Sequence, residues 1–516
     1  MASSGSDSLF KLIKSLTQSE KRYFKRFALI NSSKGSTNYI KLFDVVDKQN
    51  EYDENKIIHK GKFNGNNQLP NLKNYLYNLI LKSLNSFHSG VSANAQLKEF
   101  LRAIEILFKK GLYDECEKII SKAKVLAEKY EKHLVLLELS GWKIELSRIY
   151  LYQGKTEDEI GNIYEEVFNV NEKYRNEKEY ERLSSSMFMR ISKQGSTTRS
   201  DADLKVYRDI INHPLLDTEN KMMSYQAAYN YYTVYTAYFF MRSDFLNAYS
   251  YSQKLVKLME QHPHQKEEKL EAYIAMLGNL IACQSYLKKH KEIFLTLKKL
   301  KEINTKSQRI KNRIFFIVNY TELNIYIDTG EFAQGIKLIP HIEEELDKID
   351  LPKDDEMAFY YNISYIYFGV GNYRAARNYL NKIINDTTVD VRSDIYCMAR
   401  IMLLIVHYEL GHEELLEYME KSAHRYLDKK NRLYKVETSI LDFIKKKLPK
   451  VIADRERRAA FKELKTELEE IMRDPFEAKV LDYFDFISWL ESKIQNRPFA
   501  DIIKEKAQGL YNAPRF

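Results

Sequence analysis

Helix breaks recur along this chain at a nearly constant interval, which confines it to a succession of helical pairs. The breaks fall at Gly111, Gly154, Gly195, Ser243, Lys288, Gly330, Gly371 and Gly411, with spacings of 43, 41, 48, 45, 42, 41 and 40 residues. Apolar residues recur at helical spacing on either side of each break. Met357–Val370 precedes Gly371 and Asn372–Asn385 follows it, while Ile395–Leu410 precedes Gly411 and Glu413–Asp428 follows it. A fixed period of this size is the mark of repeat architectures, in which each unit buries its apolar face only against its neighbours. Composition agrees. Gly and Pro number 17 and 9 in 516 residues, about 5% against an ordinary share nearer ~12%. Folds of many short strands need more turn residues than that, and an aromatic content of 13% excludes global disorder. The expected class is all-α.

The clearest unit is residues 357–388, MAFYYNISYIYFGVGNYRAARNYLNKIINDTT. Tyr360, Ile363, Ser364, Tyr367, the Gly371-Asn372-Tyr373 turn, Ala376, Leu380, Ile383 and Thr388 follow a pattern that resembles the tetratricopeptide repeat (TPR). Tyr232, Tyr235, Thr236, Phe239, Phe245 and Ala248 resemble it more loosely. So do Ala103, Leu107, Gly111, Tyr113, Cys116 and Ala123; Leu146, Ser147, Tyr150 and Gly154; and Leu323, Tyr326, Gly330, Phe332 and Gly335. The resemblance implies a right-handed α-α superhelix, a TPR-like solenoid of about eight helix-turn-helix units over residues 96–430. Its units exceed the family length and lack the closing Pro, which implies longer helices and an irregular superhelix.

Two regions flank the repeats. Residues 1–92 read as a basic N-terminal helical domain. Leu9, Ile13 and Leu16 share a face behind Ser6 as a cap. Thr17-Gln-Ser-Glu20 forms a capping box that opens a second helix carrying Tyr23, Phe24 and Phe27. Residues 431–516 read as C-terminal capping helices, because a solenoid needs its last repeat covered. There, Asp474 caps a helix with Pro475 at its first position and an apolar face of Phe476, Val480, Tyr483, Phe484, Ile487 and Leu490. The net charge of +9 sits in the flanks: +7 over residues 1–90 and +5 over 445–458, with −1 over 91–444 and −2 over 459–516. Basic ends attract nucleic acid or anionic lipid, and equally serve as a solvated surface.

Motifs of chemistry are lacking. His412-Glu413-Glu414-Leu415-Leu416 opens like a metalloprotease helix, but Leu416 stands where the second His is required. His262 and His264 have no further ligand nearby, Gly369-Val-Gly371 follows a helix rather than a strand, and Gly61-Lys62 lacks the Ser/Thr of a phosphate loop. Cys116, Cys283 and Cys397 are widely separated and read as buried small residues in a reducing compartment. The expectation is therefore a protein that is not an enzyme, with no cofactor and no metal. The N-terminus shows no signal-peptide pattern and no run of 18 apolar residues occurs, so the expected location is cytoplasmic.

Two functions follow as expectations. The first is a protein–protein interaction scaffold or adaptor, binding a partner peptide or helix in the concave surface. The resemblance places the first helix of each unit on that surface, and with it Arg148, Asn230, Thr233, Tyr320, Asn324, Tyr361, Tyr365 and Ile405. Asn can hold an extended backbone and Arg a carboxylate. The alternative is a nucleic-acid-associated transcription or RNA regulator with the repeats as a sensor. Lys21, Arg22, Lys25 and Arg26 of the basic N-terminal domain would contact phosphate.

Overall fold

The computed structural model describes residues 5–30, 37–61, 63, 68–90, 92–154, 156–194, 205–349, 351–386, 393–451, 453–474 and 476–512. Among these residues there are α-helices, short 3-10 and π turns, and no strand. No described helix is long and apolar enough to cross a membrane. The chain divides into two compact units, Met1–Arg175 and Asn176–Phe516.

The first unit begins with α1 (Gly5–Ser15), α2 (Gln18–Ile30), α3 (Thr37–Asp47), α4 (Glu54–Gly61) and α5 (Gln68–Phe87). Helix α5 packs against α1, α2 and α3, because each carries an apolar stripe that meets at Ile13, Phe24, Leu42, Phe43, Leu76 and Ile80. The capping box forms: the Thr17 amide donates to Glu20 Oε2 at 2.6 Å and the Glu20 amide to Thr17 Oγ1 at 3.3 Å. The side chains of Ser6, Thr388 and Pro475 lie outside the described residues, as does Gly195.

Three equal helices follow, α6 (Ala93–Lys109), α7 (Tyr113–Lys129) and α8 (His133–Ile149), each 17 residues long. Each starts 20 residues after the one before. The joints share one device. Gly111, Glu131 and Leu151 take left-handed φ of 72°, 49° and 48°. The next amide then bonds five residues back: Leu112 to the Leu107 carbonyl, Lys132 to Ala127 and Tyr152 to Ser147. This six-to-one bond satisfies carbonyls that a helix end leaves orphaned.

Between Gly154 and Gly195, where the spacing predicts another helical pair, the chain forms the single helix α9 (Glu157–Gln194) of 38 residues. No Pro interrupts it and Gly161 falls near its start, so nothing in the segment stops helix propagation. The boundary between the two units falls within it.

The second unit continues with the short α10 (Arg208–Ile211) and then helical hairpins. These are α11 (Tyr225–Met241) with α12 (Phe245–Gln261), α14 (Leu270–Tyr286) with α15 (His290–Lys301) and α16 (Gln308–Thr329) with α17 (Phe332–Leu346). Two more pair α18 (Lys353–Gly369) with α19 (Tyr373–Asn385) and α20 (Ser393–Glu409) with α21 (Glu413–Lys429). A short α13 (Pro263–Glu268) separates the first two pairs. The hairpin turns fall at the expected breaks, with positive φ at Ser243, Lys288, Gly330, Gly371 and Gly411. The first helices also touch in series, α14 to α16, α16 to α18 and α18 to α20. Small residues allow second helices to approach the first helices beside them, as where α17 meets α18. A Cβ on Gly335 would lie 2.5 Å from Ile366 Cδ1, and one on Gly369 would lie 2.3 Å from the Phe332 ring. Ala248 and Ala376 are fully buried.

The chain closes with α22 (Lys435–Asp442), α23 (Asp454–Ile471), α24 (Phe486–Gln495) and α25 (Phe499–Asn512). Here the structure corrects the expected helix after Asp474. The segment Ala478–Asp482 is a 3-10 turn, and the α-helix begins at Phe486. Asp474 Oδ1 caps only a turn, accepting from the Phe476 amide at 2.9 Å. Asp485 is the helix cap, with Oδ1 accepting from the Ser488 amide at 2.8 Å and Oδ2 from its hydroxyl at 2.6 Å.

Candidate interaction face

The chain's own C-terminal segment lies against first helices of the later hairpins. Tyr286 on α14 bonds Asp482 Oδ2 through its hydroxyl at 3.0 Å. The Tyr361 hydroxyl on α18 donates to the Tyr483 carbonyl at 3.2 Å, and the Asp485 amide donates to the Tyr365 hydroxyl at 3.0 Å. The Tyr483 hydroxyl donates in return to Asp394 Oδ2 at 2.9 Å. Further on, Trp489 Nε1 donates to Glu409 Oε1 at 2.8 Å and Lys493 donates to Glu409 Oε2 at 2.6 Å. The Tyr361 and Tyr365 bonds take up backbone groups left free where residues 483–485 are not helical.

Rings fill the space between. Phe484 lies 5.1 Å from Tyr365 and 5.2 Å from Phe368, and stacks on Phe499 at 5.7 Å. Phe484, Phe486, Trp489 and Leu490 are all buried. Helix α25 presses so closely on the end of α16 that a Cβ on Gly330 would sit 2.9 Å from the Lys504 amide nitrogen. Burial pushes the Tyr361 and Tyr365 hydroxyls well above the ordinary phenol range, so both stay protonated as hydrogen-bonding groups.

The eight residues expected on a partner surface fall in different places. Tyr361 and Tyr365 come together under the C-terminal segment. Ile405 is fully buried in the core of the second unit. Asn324 accepts from Asn362 Nδ2 at 2.8 Å, joining α16 to α18, and Tyr320 stacks on Phe316 at 5.3 Å. Asn230 is buried on α11 with its Nδ2 lacking a hydrogen-bond partner. The Thr233 hydroxyl donates to the Tyr229 carbonyl at 2.7 Å. Arg148 belongs to the first unit, where its exposed guanidinium pairs with Glu145 at 2.7 Å.

Of the four basic residues expected to meet phosphate, two are held in ion pairs within the N-terminal helices. Lys21 pairs with Asp47 at 2.6 Å and Lys25 with Asp44 at 2.7 Å. Arg22 Nε donates to the Gln18 carbonyl at 3.3 Å, and Arg26 is exposed.

Beside Tyr286 lies an apolar cavity of about 190 Å³. It opens between the end of α9, α11, α12 and α14, with Phe188, Thr233, Phe240, Leu255, Met276 and Ala282 in its wall. The thiols are not poised for chemistry. Burial pushes Cys283 and Cys397 up to about 12 and raises Cys116, so the nucleophilic thiolate is scarce at neutral pH. Among the described residues, no three His, Cys, Asp or Glu side chains are grouped to hold a metal ion.

The sequence reading missed Tyr286, Asp394 and Glu409, which receive the C-terminal segment. Tyr286 is one of 38 Tyr, and the two carboxylates sit among 72 acidic residues. Their only local signal is helical register within a first helix. No protein-family model, curated protein or solved structure matches this chain.

Proposed function

We propose that this protein is a non-enzymatic interaction scaffold, a TPR-like helical-repeat solenoid whose first helices bind a partner polypeptide. One observation carries the reading: the face made by α14, α16, α18 and α20 already holds a polypeptide segment, its own. It does so by Tyr hydroxyls bonded to backbone groups and by slots for aromatic rings. That is the chemistry of peptide recognition, with main-chain bonds for affinity and pockets for specificity.

The self-segment is a fixed part of the protein. Phe484, Phe486, Trp489, Leu490 and Phe499 are each buried, and burying a large apolar side chain stabilises by roughly 1.5–3 kcal/mol. A partner that displaced the segment would first forfeit that burial for five groups. A partner therefore docks beside the self-segment, at the cavity where Phe188 and Asn279 are exposed. The phosphate-binding alternative has less support, since Lys21 and Lys25 already pair with carboxylates.

Photo-cross-linking from the full chain in its native cells tests the proposal. A photoreactive residue at Phe188 or Asn279 lies at the open face, and one at the exposed Leu295 on α15 serves as the control. The reading expects one discrete protein adduct from the first two positions and none from the control. Equal labelling at all three, or none at any, contradicts it.

A further inference from the structure

We infer that the cavity beside Tyr286 is an anchor pocket for an aromatic side chain borne by the partner polypeptide. The inference rests on the scaffold reading and names what that face recognises.

Continuity is the first reason. Asn279, Ala282, Cys283 and Tyr286 fall at i, i+3, i+4 and i+7, one stripe of α14. The first three line the cavity, and Tyr286 holds Asp482 of the self-segment. The Phe240 ring, also in the wall, lies 5.6 Å from Tyr286. Through Tyr286 the cavity thus adjoins the segment whose Phe484 and Phe499 rings pack on Phe368 and Tyr365 of α18.

Wall chemistry is the second. Phe188 and Phe240 offer ring faces and edges, and Met241, Met276 and Cys283 offer sulfur. Thioethers pack favourably against aromatic rings and adapt to their shape. Size is the third. A cavity of about 150 Å³ lined by apolar groups admits benzene, so about 190 Å³ admits the benzyl group of a Phe with room at its base. Access is the fourth. Phe188 is 46% exposed and Asn279 is exposed at the rim, so a ring can enter with its backbone remaining outside. Thr236 is also in the wall, but its Oγ1 is covered and without a hydrogen-bond partner, so it contributes no polar recognition.

The test uses full-length protein labelled at the methionine methyl groups, of which Met241 and Met276 report on the cavity. N-acetyl-phenylalanine amide, N-acetyl-leucine amide and toluene are titrated separately. The pocket predicts a saturable upfield shift of both methyl signals with the phenylalanine probe, and binding of the leucine probe weaker by roughly five-fold or more, about one lost sulfur–ring or ring–ring contact. Ala282→Leu, which fills the cavity, abolishes the shift. Phe188→Ala, at a half-exposed site that leaves folding intact, weakens it several-fold.

Absence of any shift overturns the inference. So does a shift with toluene alone, which would make the cavity a site for free hydrocarbons closed to a chain-borne ring. Equal binding of the phenylalanine and leucine probes overturns the aromatic preference. Cross-linking at Phe188 without methyl shifts strikes the pocket and leaves the scaffold standing, and methyl shifts without any cross-linked protein strike the scaffold alone.

Discussion

The Tyr365 hydroxyl accepts a hydrogen bond from the Asp485 amide at 3.0 Å, across 120 residues of chain. It joins a first helix to residues 483–485, a non-helical stretch of the C-terminal region. Tyr365→Phe keeps the ring and leaves the Asp485 amide without its acceptor. A buried donor left unpaired costs about 1–3 kcal/mol. Urea unfolding of the variant should show that loss at unchanged slope, whereas an unchanged midpoint would mean that the bond contributes nothing.

Glycines in two roles respond differently to alanine. Gly371 has φ of 77° and open space around its Cβ position, so Gly371→Ala carries only backbone strain, on the order of 1 kcal/mol. Gly369 lies in a helix, and its Cβ would meet the Phe332 ring at 2.3 Å. That ring is itself stacked on Phe499 at 5.9 Å, so Gly369→Ala should cost more, about 1–3 kcal/mol of overpacking. Denaturation midpoints of the two variants, measured together, check the order.

Ser243 occupies the same left-handed turn position with φ of 59°. Ser243→Gly relieves the strain and should stabilise by about 0.5–1 kcal/mol. The neighbouring cap, Asp244 Oδ1 accepting from the Asn247 amide at 3.2 Å, is untouched. A raised melting temperature is the expected result.

His407 and His412 face each other across the α20–α21 turn with Nδ1 atoms 3.2 Å apart. Burial lowers the His407 pKa below its ordinary 6.5, and the His412 and Arg377 charges lower it further. Its folded pKa is depressed, so its contribution is fully present above pH 6.5 and is lost as pH falls from there through the folded value. His407→Gln should flatten the stability profile below pH 6.5 relative to the parent, read from melting temperature against pH.

Much of the fold was legible because helix ends obey local rules. The breaks at Gly111, Gly330, Gly371 and Gly411 mark themselves through a residue type that tolerates left-handed φ. Glu131 makes the same turn with φ of 49° and no such mark, so the 20-residue pitch of α6 to α8 was hidden within a period of about 40. Helix α9 escaped for the opposite reason: Gly154 and Gly195 bracket it at the right distance, and nothing inside it interrupts the helix. The candidate face was half legible. The resemblance to the tetratricopeptide repeat put Tyr361 and Tyr365 on a shared surface, but no local rule tells that residues 483–486 lie over them. That fact depends on contacts across more than 100 residues, and the apolar stripe of residues 476–490 reads equally well as a single helix.

Hydrogen exchange over the full chain, free and bound to the protein captured at Phe188, tests the central claim most directly. The account predicts new protection in residues 225–241 and 270–286, with residues 480–490 protected equally in both states. New protection confined to residues 5–87 or to the second helices, or loss of protection in residues 480–490 on binding, would contradict it.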